Sequence, residues 1–173
     1  MSLLKIIPVD SESLNDLHKI SVTTFEETFA HQNTKENMEY YLKTNLNKKQ
    51  IKKEFLNQFS KFYLAYNQQF IVGYLKLNFK NAQKEKVFKN KAYEIERFYI
   101  LKSHQRKGFG KELFEKAVDV GKSKGYKKLW LGVWENNKTA INFYKKLKLS
   151  KFDKHTFLLG NDLQTDFLME YNF

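Results

Sequence analysis

Seven consecutive residues, Gln105-Arg106-Lys107-Gly108-Phe109-Gly110-Lys111, combine two glycines with three cations. Ile95 to Leu101, an apolar and strand-like run, leads into them, and Lys111 to Lys122, an amphipathic helix-like run, leads out. Strand, basic glycine loop and helix together make an anion cradle. Backbone N–H groups face the charge, glycine lets the chain approach it, and the helix start adds the positive end of its dipole. A phosphate-bearing ligand is the expected guest. Two nucleotide classes drop out. A P-loop needs Gly-x-x-x-x-Gly-Lys-Ser/Thr, whereas here the glycines are two apart and Glu112 follows Lys111. A dinucleotide fingerprint needs a third glycine, and Leu113 stands in its place. Just upstream, Glu94 and Glu96 alternate onto one face of the strand. Two carboxylates on an otherwise apolar strand need a reason. The structural alternative to chemistry is a solvated face or an ion pair with Arg97 or a lysine. Downstream, Asn137-x-x-Ala140-x-x-Phe143-Tyr144 sets a phenol after an apolar helix face, where a core tyrosine is the alternative.

The elements that must position these residues follow from local pattern. Leu3 to Val9 reads as an edge strand ending near Pro8. Asp10, Ser11 or Ser13 caps a helix carrying Leu14, Leu17, Ile20, Val22 and Phe25, with Phe29 extending its face. Asn33 or Thr34 starts a second helix with Met38, Tyr41 and Leu42 on one side, and Lys48 to Phe59 reads as a third. Phe62–Tyr66 and Phe70–Asn78 form a tight hairpin around Asn67-Gln68-Gln69. A polar loop, 81–91, precedes a strand from Tyr93 to Leu101. Lys128 to Trp134 is the next strand, and Asn136 or Asn137 caps a short helix through Leu147. Phe152–Leu159 and Phe167–Tyr171 close the chain as paired strands joined at Gly160-Asn161-Asp162. No linker or repeat divides this order. It predicts one α/β domain over residues 1–173, a mixed sheet with helices on its faces.

Composition sets the outer limits. The chain has 173 residues, sixteen Phe, no Cys and a formal charge of +12. Without cysteine there is no disulfide, thiolate metal site or cysteine nucleophile. Neither metal-ligand spacing nor a serine–histidine constellation stands out, so no metal and no acyl-enzyme are expected. No apolar run approaches the ~20 residues of a membrane span, and Met1 to Asp10 lacks a signal-peptide pattern. A cytoplasmic protein without membrane partners is the expectation. The charge favours an anionic partner. Lysines are spread from Lys43 to Lys154 as on a solvated surface, and Lys102 to Lys111 is the local cluster. No helix-turn-helix, zinc-finger or RNP pattern supports nucleic acid as that partner.

The pattern Gln105-x-x-Gly108-x-Gly110, joined to Asn137, Ala140, Phe143 and Tyr144 one strand and one helix later, resembles the GNAT superfamily of N-acetyltransferases, which bind acetyl-CoA. A closer likeness covers most of the chain. Thr24–Phe29, Gln32-Asn33, Glu36–Met38, Glu94–Arg97, Trp130–Glu135, His155–Phe157 and Gln164–Asp166 resemble the bacterial PaiA-type polyamine acetyltransferases. The likeness implies a GNAT-like, mostly antiparallel sheet flanked by helices, and acetylation of a primary amine such as spermidine or spermine. One departure is that Lys148-Leu149 stands where the superfamily has a Gly-Phe pair.

The resemblance also implies roles. Phe98, Tyr99 and Ile100 present backbone to the pantetheine of acetyl-CoA and to the oxyanion. Gln105, Arg106, Lys107, Gly108, Phe109, Gly110 and Lys111 cradle the pyrophosphate, with Asn137 and Lys146 as further cofactor contacts. Tyr144 protonates the leaving thiolate and Glu96 is the general base, with Glu94 or a water as alternatives. Glu26, Glu27, Glu94 and Trp134 belong to the amine site, where carboxylates meet cations and aromatics meet methylenes. Transfer is direct, within a ternary complex. A peptide or protein amine remains the alternative acceptor, and a basic nucleic-acid-binding regulator the alternative class. Oligomeric state is left open, with a homodimer among the options.

Overall fold

The computed structural model describes residues 3–85, 88 and 91–173. β1 (Lys5–Pro8) is followed by the helices α1 (Leu14–Phe29), α2 (Lys35–Asn45) and α3 (Lys48–Phe55). The strands β2 (Ser60–Asn67), β3 (Phe70–Asn78) and β4 (Tyr93–Ile100) come next. Then α4 (Phe109–Ser123), β5 (Lys128–Trp134) and α5 (Lys138–Lys146) alternate, before a hairpin of β6 (Ser150–Leu159) and β7 (Asp162–Asn172). Among the described residues seven strands form one sheet in the order β1-β2-β3-β4-β5-β7-β6. Every neighbouring pair is antiparallel except β4 and β5. The fold is the expected α/β arrangement, a mixed and mostly antiparallel sheet flanked by helices.

Local chemistry explains most boundaries. Thr34 and Asn47 cap α2 and α3, their side-chain oxygens accepting from the backbone N–H of Asn37 at 3.2 Å and Gln50 at 2.8 Å. The β2–β3 turn closes on Gln68-Gln69, with Gln68 in the left-handed region. Ser13, the N-cap of α1, makes no side-chain bond to the helix; its hydroxyl bonds Asp10 instead, and the Asp10 carboxylate takes the N–H groups of Glu12 and Ser13. Besides shifts of one or two residues at the ends of other elements, β1, β2 and β6 among them, three boundaries differ from the sequence reading. α3 stops at Phe55 instead of Phe59, α4 starts at Phe109 instead of Lys111, and β7 starts at Asp162 instead of Phe167. The last difference arises because Gly160 turns the chain at φ 67° and Leu159 pairs directly with Asp162. Residues 86, 87, 89 and 90 of the expected polar loop lie outside the described residues.

The sheet has two cores. Leu113, Phe114 and Ala117 of α4, with Ile141 and Tyr144 of α5, pack on Leu75, Ile95 and Leu131. Elsewhere Leu17 and Ile20 of α1 and Ile51 of α3 pack on Leu64 and Tyr74. An aromatic-rich cluster of Phe25, Phe29, Met38 and Trp134 continues that second layer.

Two irregularities matter for function. The parallel pair β4 and β5 is joined only at Tyr93↔Leu129, Glu94↔Trp130 and Ile95↔Leu131. Beyond Ile95, β4 continues against β3 and β5 continues against β7, but the two no longer pair. A wedge therefore opens within the sheet at the C-terminal ends of these strands. In addition, β3 pairs Lys76 with Arg97 but Leu77 with Ile95, which leaves Glu96 as the extra residue of a β-bulge. The bulge interrupts alternation, so that Glu96 and Arg97 both reach the carboxylate–cation cluster described below.

Candidate active site

Beyond the wedge, β4 passes into a 3₁₀ turn at Lys102–His104. The turn is pinned from two sides. Gln105 Nε2 donates to the carbonyl of Ile100 at 3.1 Å, and Glu27 of α1 accepts from the N–H of Lys102 at 2.8 Å. Arg106 and Gly108 follow with φ of 62° and 86°. Gly108 is the N-cap of α4 and brings no side chain to its first turn. The helix start is thus left to an external acceptor, and Arg106, Lys107 and Lys111 are exposed around it. Phe109 contributes backbone only, because its ring is buried and stacks on His104 at 6.2 Å. Gly110 has a packing reason: a Cβ there would stand 3.0 Å from the ring of Phe143, so α4 and α5 touch at this glycine.

α5 carries the phenol. Asn137 caps it, its side-chain oxygen accepting from the N–H of Ala140 at 3.1 Å. Its C-terminal end closes in a Schellman turn, with Leu149 N–H on Tyr144 O at 3.0 Å and Lys148 N–H on Lys145 O at 2.9 Å. Lys148 adopts φ 68° there, the backbone geometry that glycine adopts most readily. Lys146 is exposed on the last turn. Tyr144 is buried, with its ring edge-on to Phe98 at 6.0 Å and to Phe143 at 5.4 Å. Burial pushes its pKa well above the ordinary 10.0, so the phenol keeps its proton at neutral pH.

The two carboxylates of β4 do meet, as alternation implied. Asn78 Nδ2 bridges them, 3.2 Å from Glu94 and 2.6 Å from Glu96. Their environments differ sharply. Glu96 is paired with Lys76, with Lys84 at 3.1 Å and with Arg97 at 3.8 Å. Lys76 and Arg97 are shared with Glu54 of α3, at 2.9 and 2.8 Å. Burial alone would raise the pKa of Glu96, but Lys84, Arg97 and Lys76 outweigh it and hold the carboxylate well below its usual range. Glu94 accepts from Asn78 and from the N–H of Lys84 at 3.1 Å. Burial first, and the charge of Glu96 second, push its pKa up to about 7. The proton affinity expected of a base at Glu96 is therefore found on Glu94, while Glu96 stays a fixed anion.

The amine-site candidates are divided. Trp134 is buried in the aromatic cluster, 5.7 Å from Phe29, and there Phe25 stacks on Tyr41 at 4.4 Å. Tyr99 stacks on Tyr74 at 5.6 Å. Glu26 and Glu27 are both exposed on α1, and Glu27 serves the turn after β4. The sequence reading missed Glu54, Lys76, Asn78 and Lys84. One signal was present: Lys76 stands between leucines in a strand, where a lysine needs a buried partner. Among the described residues, no group of His, Cys, Asp or Glu is arranged to hold a metal ion, and no helix is long and apolar enough to cross a membrane.

Comparison with known proteins agrees with this geometry. The model of the acetyltransferase (GNAT) family matches residues 14–148. An uncharacterized N-acetyltransferase in the pepI 3' region of Lactobacillus delbrueckii subsp. lactis is 41% identical over 170 residues, 98% of each chain. The crystal structure of PaiA N-acetyltransferase from Thermoplasma acidophilum in complex with coenzyme A shares the fold, with TM-score 0.79, 22% identity and 100% of both chains covered. So does a GNAT family acetyltransferase from Elizabethkingia anophelis with acetyl-CoA bound, with TM-score 0.63, 16% identity and 100% of both chains covered. The family match over most of the chain and the near full-length relative show that this chain belongs to the acetyltransferase (GNAT) family and is an acetyl-CoA-dependent N-acetyltransferase.

Proposed function

We propose that residues 1–173 act as one domain that passes the acetyl group of acetyl-CoA directly to a primary amine, and that this amine is a polyamine of the spermidine and spermine class. The observation that carries the reading is the Asn78-bridged pair Glu94 and Glu96 at the opening of the β4–β5 wedge. The likeness of Thr24–Phe29, Glu94–Arg97 and Trp130–Glu135 to polyamine acetyltransferases supports the acceptor.

In this reading the unpaired edge of β4 at Phe98, Tyr99 and Ile100 pairs with the pantetheine amides as one strand pairs with another. A β4 amide also donates to the developing oxyanion. The pyrophosphate sits on the start of α4, over Gly108, Phe109 and Gly110, with Arg106, Lys107 and Lys111 around it. Gln105 shapes the loop through Ile100. Asn137 keeps its Nδ2 for the co-substrate, because its oxygen is spent as a cap, and Lys146 meets a phosphate.

The acceptor arrives as an ammonium, since an aliphatic amine titrates near ~10.4. Glu96 attracts it as a permanent anion. Glu94 takes the proton, directly or through one water, and its pKa of about 7 suits a base at neutral pH. The free amine attacks the thioester carbonyl to form the C–N bond, and the C–S bond breaks as Tyr144 protonates the departing thiolate. The second proton lost by the nitrogen restores the Tyr144 phenol, directly or through water. Trp134 and the aromatic cluster line the methylene path, with Glu26 at its outer end. Screening limits the reach of the +12 charge to ~8 Å at physiological salt, so these local acids decide what the acceptor meets.

A panel of spermidine, spermine, simple monoamines and lysine peptides, assayed by CoA release, tests the reading. Preferred turnover of polyamines is expected. Turnover of peptides alone would replace the acceptor, and salt-sensitive DNA binding without any amine turnover would favour the regulator.

A further inference from the structure

We propose that Lys84 is an internal stand-in for the acceptor's cation, its ammonium seated on Glu96 in the free enzyme and displaced when a cationic amine enters. The inference rests on the acceptor reading above.

Lys84 touches both carboxylates at once. Its Nζ lies 3.1 Å from Glu96 Oε1, and its backbone N–H donates to Glu94 Oε2 at 3.1 Å. The flanking residues fasten the segment independently of that ammonium. Trp130 Nε1 donates to Gln83 Oε1 at 2.7 Å, and the Glu85 carboxylate contacts His155. Lys84 can thus withdraw its side chain while the backbone stays in place.

Exposure separates it from the other cations of the cluster. The side chains of Lys76 and Arg97 are 4% and 9% exposed, whereas that of Lys84 is 59% exposed. Lys76 and Arg97 also hold Glu54, so they belong to the framework. Lys84 reaches in from solvent, and among the described residues its ammonium is paired with Glu96.

The charges agree with replacement. Glu96, the carboxylate that the Lys84 ammonium holds, stays an anion. Without that ammonium Glu96 loses one of its cations, which a second ammonium of a polyamine can supply while its primary amine reacts. Although the side chain as a whole is exposed, desolvation of its ammonium beside Glu96 works against the charge, yet Glu96 outweighs it and holds the pKa well above the ordinary 10.5. The group is a standing cation and a poor nucleophile, suited to competing for the pocket without being acetylated in it. A monoamine has no second charge to complete the exchange.

The test compares wild type, Lys84→Met and Lys84→Arg with spermidine, butane-1,4-diamine and butylamine. Lys84→Met should lower KM for the two polycations about tenfold, the order expected when one competing charge leaves a partly screened site. It should lower KM for butylamine less, and change kcat less than KM. Lys84→Arg should stay near wild type. Calorimetry with CoA should give the same affinity in all three proteins. Unchanged or raised KM for the polycations in Lys84→Met, with turnover preserved, overturns the role of Lys84 and leaves the acceptor reading intact. Absence of turnover with every amine in all three proteins, with CoA still bound, overturns the acceptor reading and the Lys84 role with it.

Discussion

Glu94 and Glu96 stand two residues apart on one strand, yet their surroundings assign them opposite tasks. Burial and a neighbouring anion raise Glu94, while three cations lower Glu96. Two substitutions should therefore part company. Glu94→Gln should remove the acid limb of the kcat/KM–pH profile, which rises through about 7 as the base loses its proton, and cut turnover by roughly 10²-fold or more. A mutant that keeps the limb would exclude Glu94 as the base. Glu96→Gln should instead destabilise the fold by about 3–5 kcal/mol in chemical denaturation, because Lys76 and Arg97 lose a buried partner. The stability signs also differ. Between the ordinary 4.5 and about 7 the folded state holds a proton at Glu94 that the unfolded chain has released, so its contribution falls as pH rises through that window. The contribution of Glu96 is in place above its ordinary 4.5 and is lost as pH falls toward its lowered pKa. The pairing of these glutamates was legible from alternation. Their division of labour was not, because Lys76, Lys84, Asn78 and Glu54 come from other segments.

The end of α5 shows how an element holds the tyrosine proposed as the acid. Tyr144 is the residue whose carbonyl closes the Schellman turn, and Leu149, buried in the same core, is the residue that closes it. Lys148 bears the strain of that closure at φ 68°. An L-residue in the left-handed region costs about 1–2 kcal/mol, and glycine gives back about 0.5–1 of that in unfolded-chain entropy. Lys148→Gly should then stabilise the protein by about 0.5–1 kcal/mol. In a domain of this size that corresponds to a Tm rise of about 1–4 °C in scanning calorimetry. A lower Tm would show that Lys148 has a stabilising role its backbone does not reveal. The same element marks a limit of sequence reading. The glycines of the anion loop suggested close approach to phosphate, and for Gly108 the conformation agrees. Gly110 instead faces the ring of Phe143, a contact between elements that local pattern cannot reveal.

At the scale of the whole molecule, a chain of formal charge +12 takes an anionic co-substrate. CoA at 100 times its Kd should add about 2.7 kcal/mol of stability, a Tm rise of about 5–10 °C at this size. The rise should shrink in 1 M salt, where the screening length falls to ~3 Å. Replacing Arg106, Lys107 and Lys111 together by Gln should flatten that salt dependence in a thermal-shift assay, and an unaltered dependence would place the phosphates elsewhere. The element order was readable because hydrophobic period and capping act over a few residues. The register between β4 and β5 was not, since it depends on how two strands thirty residues apart diverge.

That divergence has a consequence for the protein's life in a cell. Beyond Ile95 and Leu131 each strand bordering the wedge has one edge with no strand paired to it, the kind of edge that other chains can add to. Bound pantetheine would cover this edge as a surrogate strand. When acetyl-CoA is scarce, more of the population would stand with this edge bare and open to strand addition, so the soluble amount of the enzyme would track the supply of its own co-substrate.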